Sequence, residues 1–412
     1  MIHILKKKDF KAQTELKMSP FFERTSQLNQ SQDWRRWGGH LAATKYELHH
    51  ENEYFAIRTK AALLDISPLY KYSIYGPDAQ IFLDRLVTRN IQICKVGQIM
   101  YTPWCDDNGK VIDDGTVQHL GKENFRLTSA EPNLTWLRDN TSGMNVDIKD
   151  DSSATAALAL QGPNSRTILN SISSRNLDSL KFFNLTETDI NKIPVTVSRT
   201  GYTGDLGFEI WFDRDQAIDI WDILMDAGKP FGITPTGLHA LDMARIEASL
   251  ILLDVDYISA RHALIENQKS SPYELGLDWA VKMKKNDFIG KNALALEKTA
   301  PSNWKFRGIE IKWTPLEKQY KKAGLPPNLP ETAWRTSTPL YYKKKQVGYA
   351  TSGTWSPILK RYIALAHIHA DCAEIGSHLD FEIKIEHFRH LTPAVVVETP
   401  FYNPERKRLC PN

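Results

Sequence analysis

The 412-residue chain has little cysteine: Cys94, Cys105, Cys372 and Cys410 fall in no CxxC pair, so neither a disulfide framework nor a zinc ribbon is indicated. Long apolar runs are missing too. The stretch around Ala248–Leu253 is core-sized, far short of the ~18 residues that a bilayer span needs. Nor does one sign of charge dominate, since 52 Lys and Arg against 49 Asp and Glu leave +3. So even a balance argues against a nucleic-acid partner. The N-terminal stretch is basic but carries no apolar segment or small-residue cleavage site of an export signal. These absences lead to the expectation of a cytoplasmic, multi-domain protein with reduced thiols, bound to neither membrane nor nucleic acid.

What is present is an ordinary globular composition, 42% hydrophobic and 25% charged. The first 30 residues are polar, lack a clear period and read as an arm, with order starting near Trp34. Tyr46 to Lys60 can form an amphipathic helix, and His49-His50 reads as its solvated face. Strand, Gly-Pro turn and helix then occur twice, through Ser73–Ala79 and through Leu158–Ser165. This suggests paired α+β modules, because proline is tolerated in the first turn of a helix. Val195–Ser198 and Gly207–Phe212 read as strands, and Ala217 to Met225 as a helix stopped at Gly228. A further helix runs from Thr234–Gly237 to about Leu250. Beyond Lys291, short β-like runs surround a Pro-rich surface excursion, Thr314–Pro339. They predict a small β-barrel or sandwich.

Three segments can carry chemistry. In Asp106–Val117, a hairpin turn at Asp107-Asn108-Gly109 precedes a strand. Strict alternation there puts Ile112 and Asp114 on one face, with Val111 and Asp113 on the other. A buried working acid beside a solvated partner is one reading of this pair, and two exposed acids at a strand end is the plainer one. The Gly-rich loop of Ser198–Ile210 lacks a P-loop ending; it reads either as a loop that holds Tyr202 and Glu209 against a ligand or as a plain long hairpin. In Leu238–Ala248, Asp242 and Arg245 are one turn apart and suit an intrahelical ion pair. His367, His369 and Cys372 lack a fourth zinc ligand at a recognisable spacing.

Together these segments resemble the folate-dependent aminomethyltransferases, the family of the glycine cleavage T-protein and related tetrahydrofolate-dependent demethylases. The resemblance rests on Gly109–Asp114, Ala159–Pro163, Arg199–Asp205 with Gly207–Ile210, and Asp287–Lys291. Thr351-Ser352-Gly353 with Ser356-Pro357 extends it toward the C-terminus. It implies an α+β fold of two interleaved ferredoxin-like modules around a central folate channel, followed by a C-terminal β-barrel-like domain. The expected boundaries are 1–66 and 147–232 for the first module, 67–146 and 233–290 for the second, and 291–412 for the barrel. It implies tetrahydrofolate as cofactor, Asp114 as the catalytic carboxylate near folate N5, and Tyr202, Glu209 and Trp279 along the pterin site, with no metal.

The chain departs from the family pattern at Leu241, where an arginine would serve the folate tail, and at Pro68 and Ser129. His239, Lys282 and Lys284 are candidate replacements for that arginine. Because these changes fall near substrate and tail, the sequence favours a tetrahydrofolate-dependent methyl or aminomethyl transferase that demethylates a small N-, O- or S-methylated substrate. The glycine-cleavage aminomethyltransferase, with a lipoylated carrier protein as partner, is the alternative. A non-catalytic folate-binding regulatory protein is the third reading.

Overall fold

Two Gly-Pro turns set the plan of the N-terminal region in the computed structural model, which describes residues 16–411. Gly76 and Gly162 have φ of +125° and +114°. A Cβ at either would meet a carbonyl oxygen, of Asn145 at 2.6 Å or of Lys60 at 2.7 Å. Only glycine suits such a conformation and approach. Each turn sends a strand directly into a helix: Tyr70–Tyr75 into Ala79–Leu86, and Thr155–Gln161 into Ser165–Ile172.

The two strands belong to different sheets. One sheet has six strands in the order Leu185–Ile190, Ile193–Ser198, Gly207–Asp213, Thr155–Gln161, Ala61–Asp65 and Ile233–Pro235. The other has five, in the order Ile99–Cys105, Val111–Gly121, Asn124–Ser129, Tyr70–Tyr75 and Asp147–Asp150. Sheet membership differs from the expected boundaries at two points. Asp147–Asp150 pairs with Tyr70–Tyr75 in the five-stranded sheet, and Ile233–Pro235 runs parallel to Ala61–Asp65 in the six-stranded one.

Period-2 alternation divides the six-stranded sheet into two faces. Ala156, Leu158 and Leu160 pack with Ile168, Leu169, Ile220, Trp221 and Leu224 from the helices on one side. Ala157, Ala159, Ala62 and Trp211 turn the other way, into a central cluster. Cys105 and Val111 of the five-stranded sheet join that cluster, as do Phe306, Ile363 and Leu365 of the C-terminal domain. The middle of the molecule is therefore walled by all three parts.

The C-terminal domain closes into a six-stranded barrel in the order Trp304–Ile311, Arg361–His369, Lys345–Ser356, Thr338–Tyr342, His378–Ile385 and Phe388–Val397. Strand Thr338–Tyr342 emerges from the expected surface excursion. The excursion itself begins as helix Trp313–Lys322, whose Leu316 and Tyr320 are buried in the barrel core. Its return limb places Trp334 against the same core, with Nε1 donating to the Tyr362 hydroxyl at 2.9 Å.

Two other expectations give way to packing. The arm lies partly outside the described residues, but Phe22–Leu28 is a helix and Phe21 is fully buried against Phe212 and Trp221. Burying one Phe stabilises by about 1.5–3 kcal/mol, enough to dock a short polar segment. His50 is not a solvated face either: it is buried, with Nε2 3.1 Å from the Met243 sulfur and its ring 5.6 Å from that of His239. The helix containing Asp242 ends at Glu247, three residues before the expected stop.

Candidate active site

A β-bulge decides where the paired aspartates point. Cys105 pairs with Val111 and Trp104 with Asp113, which leaves Ile112 as the extra residue. The bulge reverses the alternation expected from sequence. Ile112 turns to the Trp104 side, while Asp114, opposite Pro103, shares the side of Val111 and Cys105 that faces the centre.

Asp113 is fully buried rather than solvated. Its Oδ1 accepts the Asp114 N–H at 2.7 Å, and its Oδ2 accepts the Glu131 N–H at 3.1 Å and Asn133 Nδ2 at 2.9 Å. Burial, reinforced by the neighbouring Asp114 charge, pushes its carboxyl well above the usual range. Three donors, one from its own strand and two from the loop after Asn124–Ser129, make Asp113 a structural pin for the bulge.

Asp114 is held differently. Tyr257 Oη donates to its Oδ1 at 2.5 Å, and Tyr101 supplies a second phenol hydrogen bond. Burial raises its pKa, and these two hydrogen bonds oppose that rise. Tyr101 stacks on Trp279 with ring centroids 5.9 Å apart, and the Arg89 guanidinium lies 5.3 Å above the indole. Trp279 is 48% exposed, so the stack leads from the surface toward Asp114. Tyr202 reaches the same neighbourhood from the Gly-rich loop, and its hydroxyl donates to the Ile251 carbonyl.

Glu209 stands on the six-stranded sheet, between Ser198 and Ala159 on the flanking strands. Its Oε2 accepts from Thr200 Oγ1 at 2.6 Å and, at the 3.5 Å limit, from Ser198 Oγ. Burial raises its pKa, opposed by these hydroxyls. Among the described residues no cation pairs with it. The alanines beside it, Ala157 and Ala159, keep that wall low.

The structure thus gathers Asp114, Tyr202 and Trp279 around Tyr101 and Tyr257, and sets Glu209 on another wall of the same central cluster. Tyr101 and Tyr257 were absent from the sequence reading. Alternation along Ile99–Cys105 could have flagged Tyr101, which shares a face with Cys105, but nothing in the irregular Leu253–Tyr257 stretch marks Tyr257.

Leu241 borders a cavity also lined by Leu41, Ala43, Tyr46, Leu64 and Asp65, which includes none of the four expected site residues. Next to Leu241, Asp242 accepts from Arg245 Nε at 2.8 Å, the ion pair anticipated from spacing, and from Arg335 Nε at 2.6 Å. Arg35, whose charge is disfavoured by burial and by nearby Arg335, has Nη1 buried without a hydrogen-bond partner. His239 is pushed down to about 4 by burial and by His50, and is therefore neutral at pH 7. His367 is used structurally, its Nε2 2.6 Å from the Asp256 carbonyl.

Comparison with known proteins agrees with this architecture. The model of the GCVT N-terminal domain matches residues 10–285, and that of the glycine cleavage T-protein C-terminal barrel domain matches residues 323–403. An aminomethyltransferase of Halothermothrix orenii is 35% identical over 353 residues, 85% of this chain and 90% of that one. One from Bacillus subtilis is 32% identical over 394 residues, covering 94% and 99%. The crystal structure of the glycine cleavage system aminomethyltransferase T from Bartonella henselae superposes with a TM-score of 0.79 at 21% identity, covering 94% of this chain and 98% of that one. The fold is therefore mixed α and β, with two sheets in the N-terminal region and a closed six-stranded barrel after them. The chain belongs to the glycine cleavage T-protein family of aminomethyltransferases, and it is an enzyme of the transferase class. No helix among the described residues is long and apolar enough to cross a membrane.

Proposed function

We propose that the protein is a tetrahydrofolate-dependent aminomethyltransferase of the glycine-cleavage type, taking its one-carbon unit from a lipoylated carrier protein. This replaces the small-molecule demethylase favoured from sequence, because relatives matching over nearly their whole length are named aminomethyltransferases. The observation that carries the reading is the pair of half-buried, cation-free carboxylates, Asp114 and Glu209, on two walls of the central cluster.

Their chemistry fits a reduced pteridine. A ring edge rich in N–H donors satisfies an acceptor such as Glu209, which has hydroxyl donors but no countercharge. Ala157 and Ala159 leave room for a flat ring beside it, and Tyr202 and Trp279 offer aromatic surfaces. When bound, tetrahydrofolate supplies through N5 the nucleophile that accepts the one-carbon unit. Asp114 orients that nitrogen, favours the positive charge that develops there and can hold its proton. The site's burial keeps water from competing for the transferred group. Near Leu241, Arg35 and Arg335 supply the positive charge for an acidic cofactor tail, a role that neutral His239 cannot fill. Four free cysteines, two of them buried, support a reducing, cytoplasmic setting.

The test is to incubate the protein with tetrahydrofolate and an aminomethyl-loaded lipoylated carrier, following 5,10-methylene-tetrahydrofolate and ammonia. Product that requires the carrier is expected. Product formed instead from methylated amines, sulfonium compounds or methoxy-aromatics would restore the demethylase reading. Folate binding with no product from any donor would favour a regulatory role.

A further inference from the structure

The residue with the most direct hold on Asp114 comes from 143 positions away. Tyr257 follows Asp256, and Asp256 is fixed from several directions. Its carboxylate accepts from Arg245 Nη1, the Leu252 N–H (2.9 Å), Thr351 Oγ1 (2.5 Å) and Ser352 Oγ (2.8 Å). Its carbonyl oxygen meets His367 Nε2. Thr351, Ser352 and His367 belong to the barrel, and Arg245 to the helix Leu238–Glu247. Tyr257 is thus anchored through its neighbour to the barrel and to the helix Leu238–Glu247, and its phenol is delivered to the Asp114 strand of the five-stranded sheet. It is 3% exposed, so water does not replace its hydrogen bond.

We propose that Tyr257 is a positioning residue: its phenol fixes Oδ1 of Asp114, sets the orientation of the carboxylate toward the reacting nitrogen, and makes that orientation depend on the seating of the barrel through Asp256. The proposal rests on Asp114 being the site's working acid. The other charged or titratable groups that bear on Asp114 do not substitute. Asp113 is committed to three N–H donors, and Tyr202 donates to a carbonyl. Arg245 is shared between Asp242 and Asp256, and the Asp256 charge works against ionisation of Asp114. Only Tyr101 offers a comparable donor.

A donor to a carboxylate favours its ionised form, so its loss raises the pH at which Asp114 titrates. Tyr257→Phe is expected to move the acidic limb of the rate–pH profile up by about one pH unit and to lower kcat about tenfold, with KM for tetrahydrofolate little changed. The carboxyl carbon of Asp114, followed by NMR in protein labelled with carbon-13 aspartate and assigned with Asp114→Asn, should shift its titration the same way. This readout needs no substrate, so it stands or fails apart from the proposed reaction. Should the Phe variant misfold, 3,5-difluorotyrosine at position 257, a stronger donor, should move the titration down. An unmoved Asp114 titration with a folded Tyr257→Phe, or a shift only in Tyr101→Phe, would overturn the proposal.

Discussion

Two sets of buried or half-buried acids in this protein are held in opposite ways. At the domain junctions, carboxylates face guanidinium groups. Glu247 receives Arg58 at 2.6 Å together with the Tyr54 and Ser356 hydroxyls, Asp205 binds Arg406 Nε at 2.7 Å, and Asp242 lies between Arg245 and Arg335. On the central walls, Asp114 and Glu209 receive only hydroxyl groups. The titration shifts differ in the same sense. Burial tends to raise Asp242, but its two arginines outweigh that and hold it below the usual range, whereas burial prevails at Asp114 and Glu209. A carboxylate paired with arginine has its interactions complete and acts as a joint. One left with hydroxyls retains unmet acceptor capacity that a ligand can use. Between these two sets the charge partner, more than burial, separates structural acids from working ones, while Asp113 is a structural acid completed by N–H donors instead.

Breaking the comparison from the structural side should have the largest effect. Asp242→Asn leaves Arg245 and Arg335 without their shared charge and should cost about 3–5 kcal/mol of stability, read as a lower urea midpoint. On the functional side, Asp114→Asn should cut turnover by about 10²–10³-fold while calorimetry finds folate binding largely kept. Equal loss of binding and turnover would make Asp114 a binding group only. Glu209→Gln should weaken folate binding by roughly 1.5–3 kcal/mol, the range of hydrogen bonds to a charged group.

The smallest effect is on the pH dependence of stability. Asp242, held low in the fold, contributes stability that is present above its ordinary pKa and lost as pH falls through its folded value. Asp114 and Glu209, held high, contribute stability that is present below their ordinary values and lost as pH rises through their folded ones. Between pH 4 and 7 the melting temperature of Glu209→Gln should therefore gain on that of the unmodified protein, while Asp242→Asn should show its deficit throughout that window and lose it only in stronger acid.

Much of this plan was legible in the chain. The duplicated Gly-Pro turns announced two strand–helix units because only glycine takes the turn they need, and alternation marked the strands around Glu209. The Asp113–Asp114 pair was visible, but its orientation was not. A single inserted residue at Ile112 exchanges the two faces, and strict alternation assigns them wrongly. Tyr257 was hidden because it sits in an irregular loop and acts across a long sequence separation. Arg335 was hidden in a segment whose prolines suggested surface, although its limb returns to the barrel core through Trp334. Phe21, a buried anchor in polar surroundings, left no periodic trace.

Glu209 offers the most direct test that a cation-free acid marks the pterin wall. Calorimetry of 5-formyl-tetrahydrofolate binding to the unmodified protein, to Glu209→Gln and to Glu209→Gln with Asp114→Asn should show tight binding in the first, roughly ten- to hundredfold weaker binding in the second, and little further loss in the third. Unchanged affinity in Glu209→Gln would contradict the account.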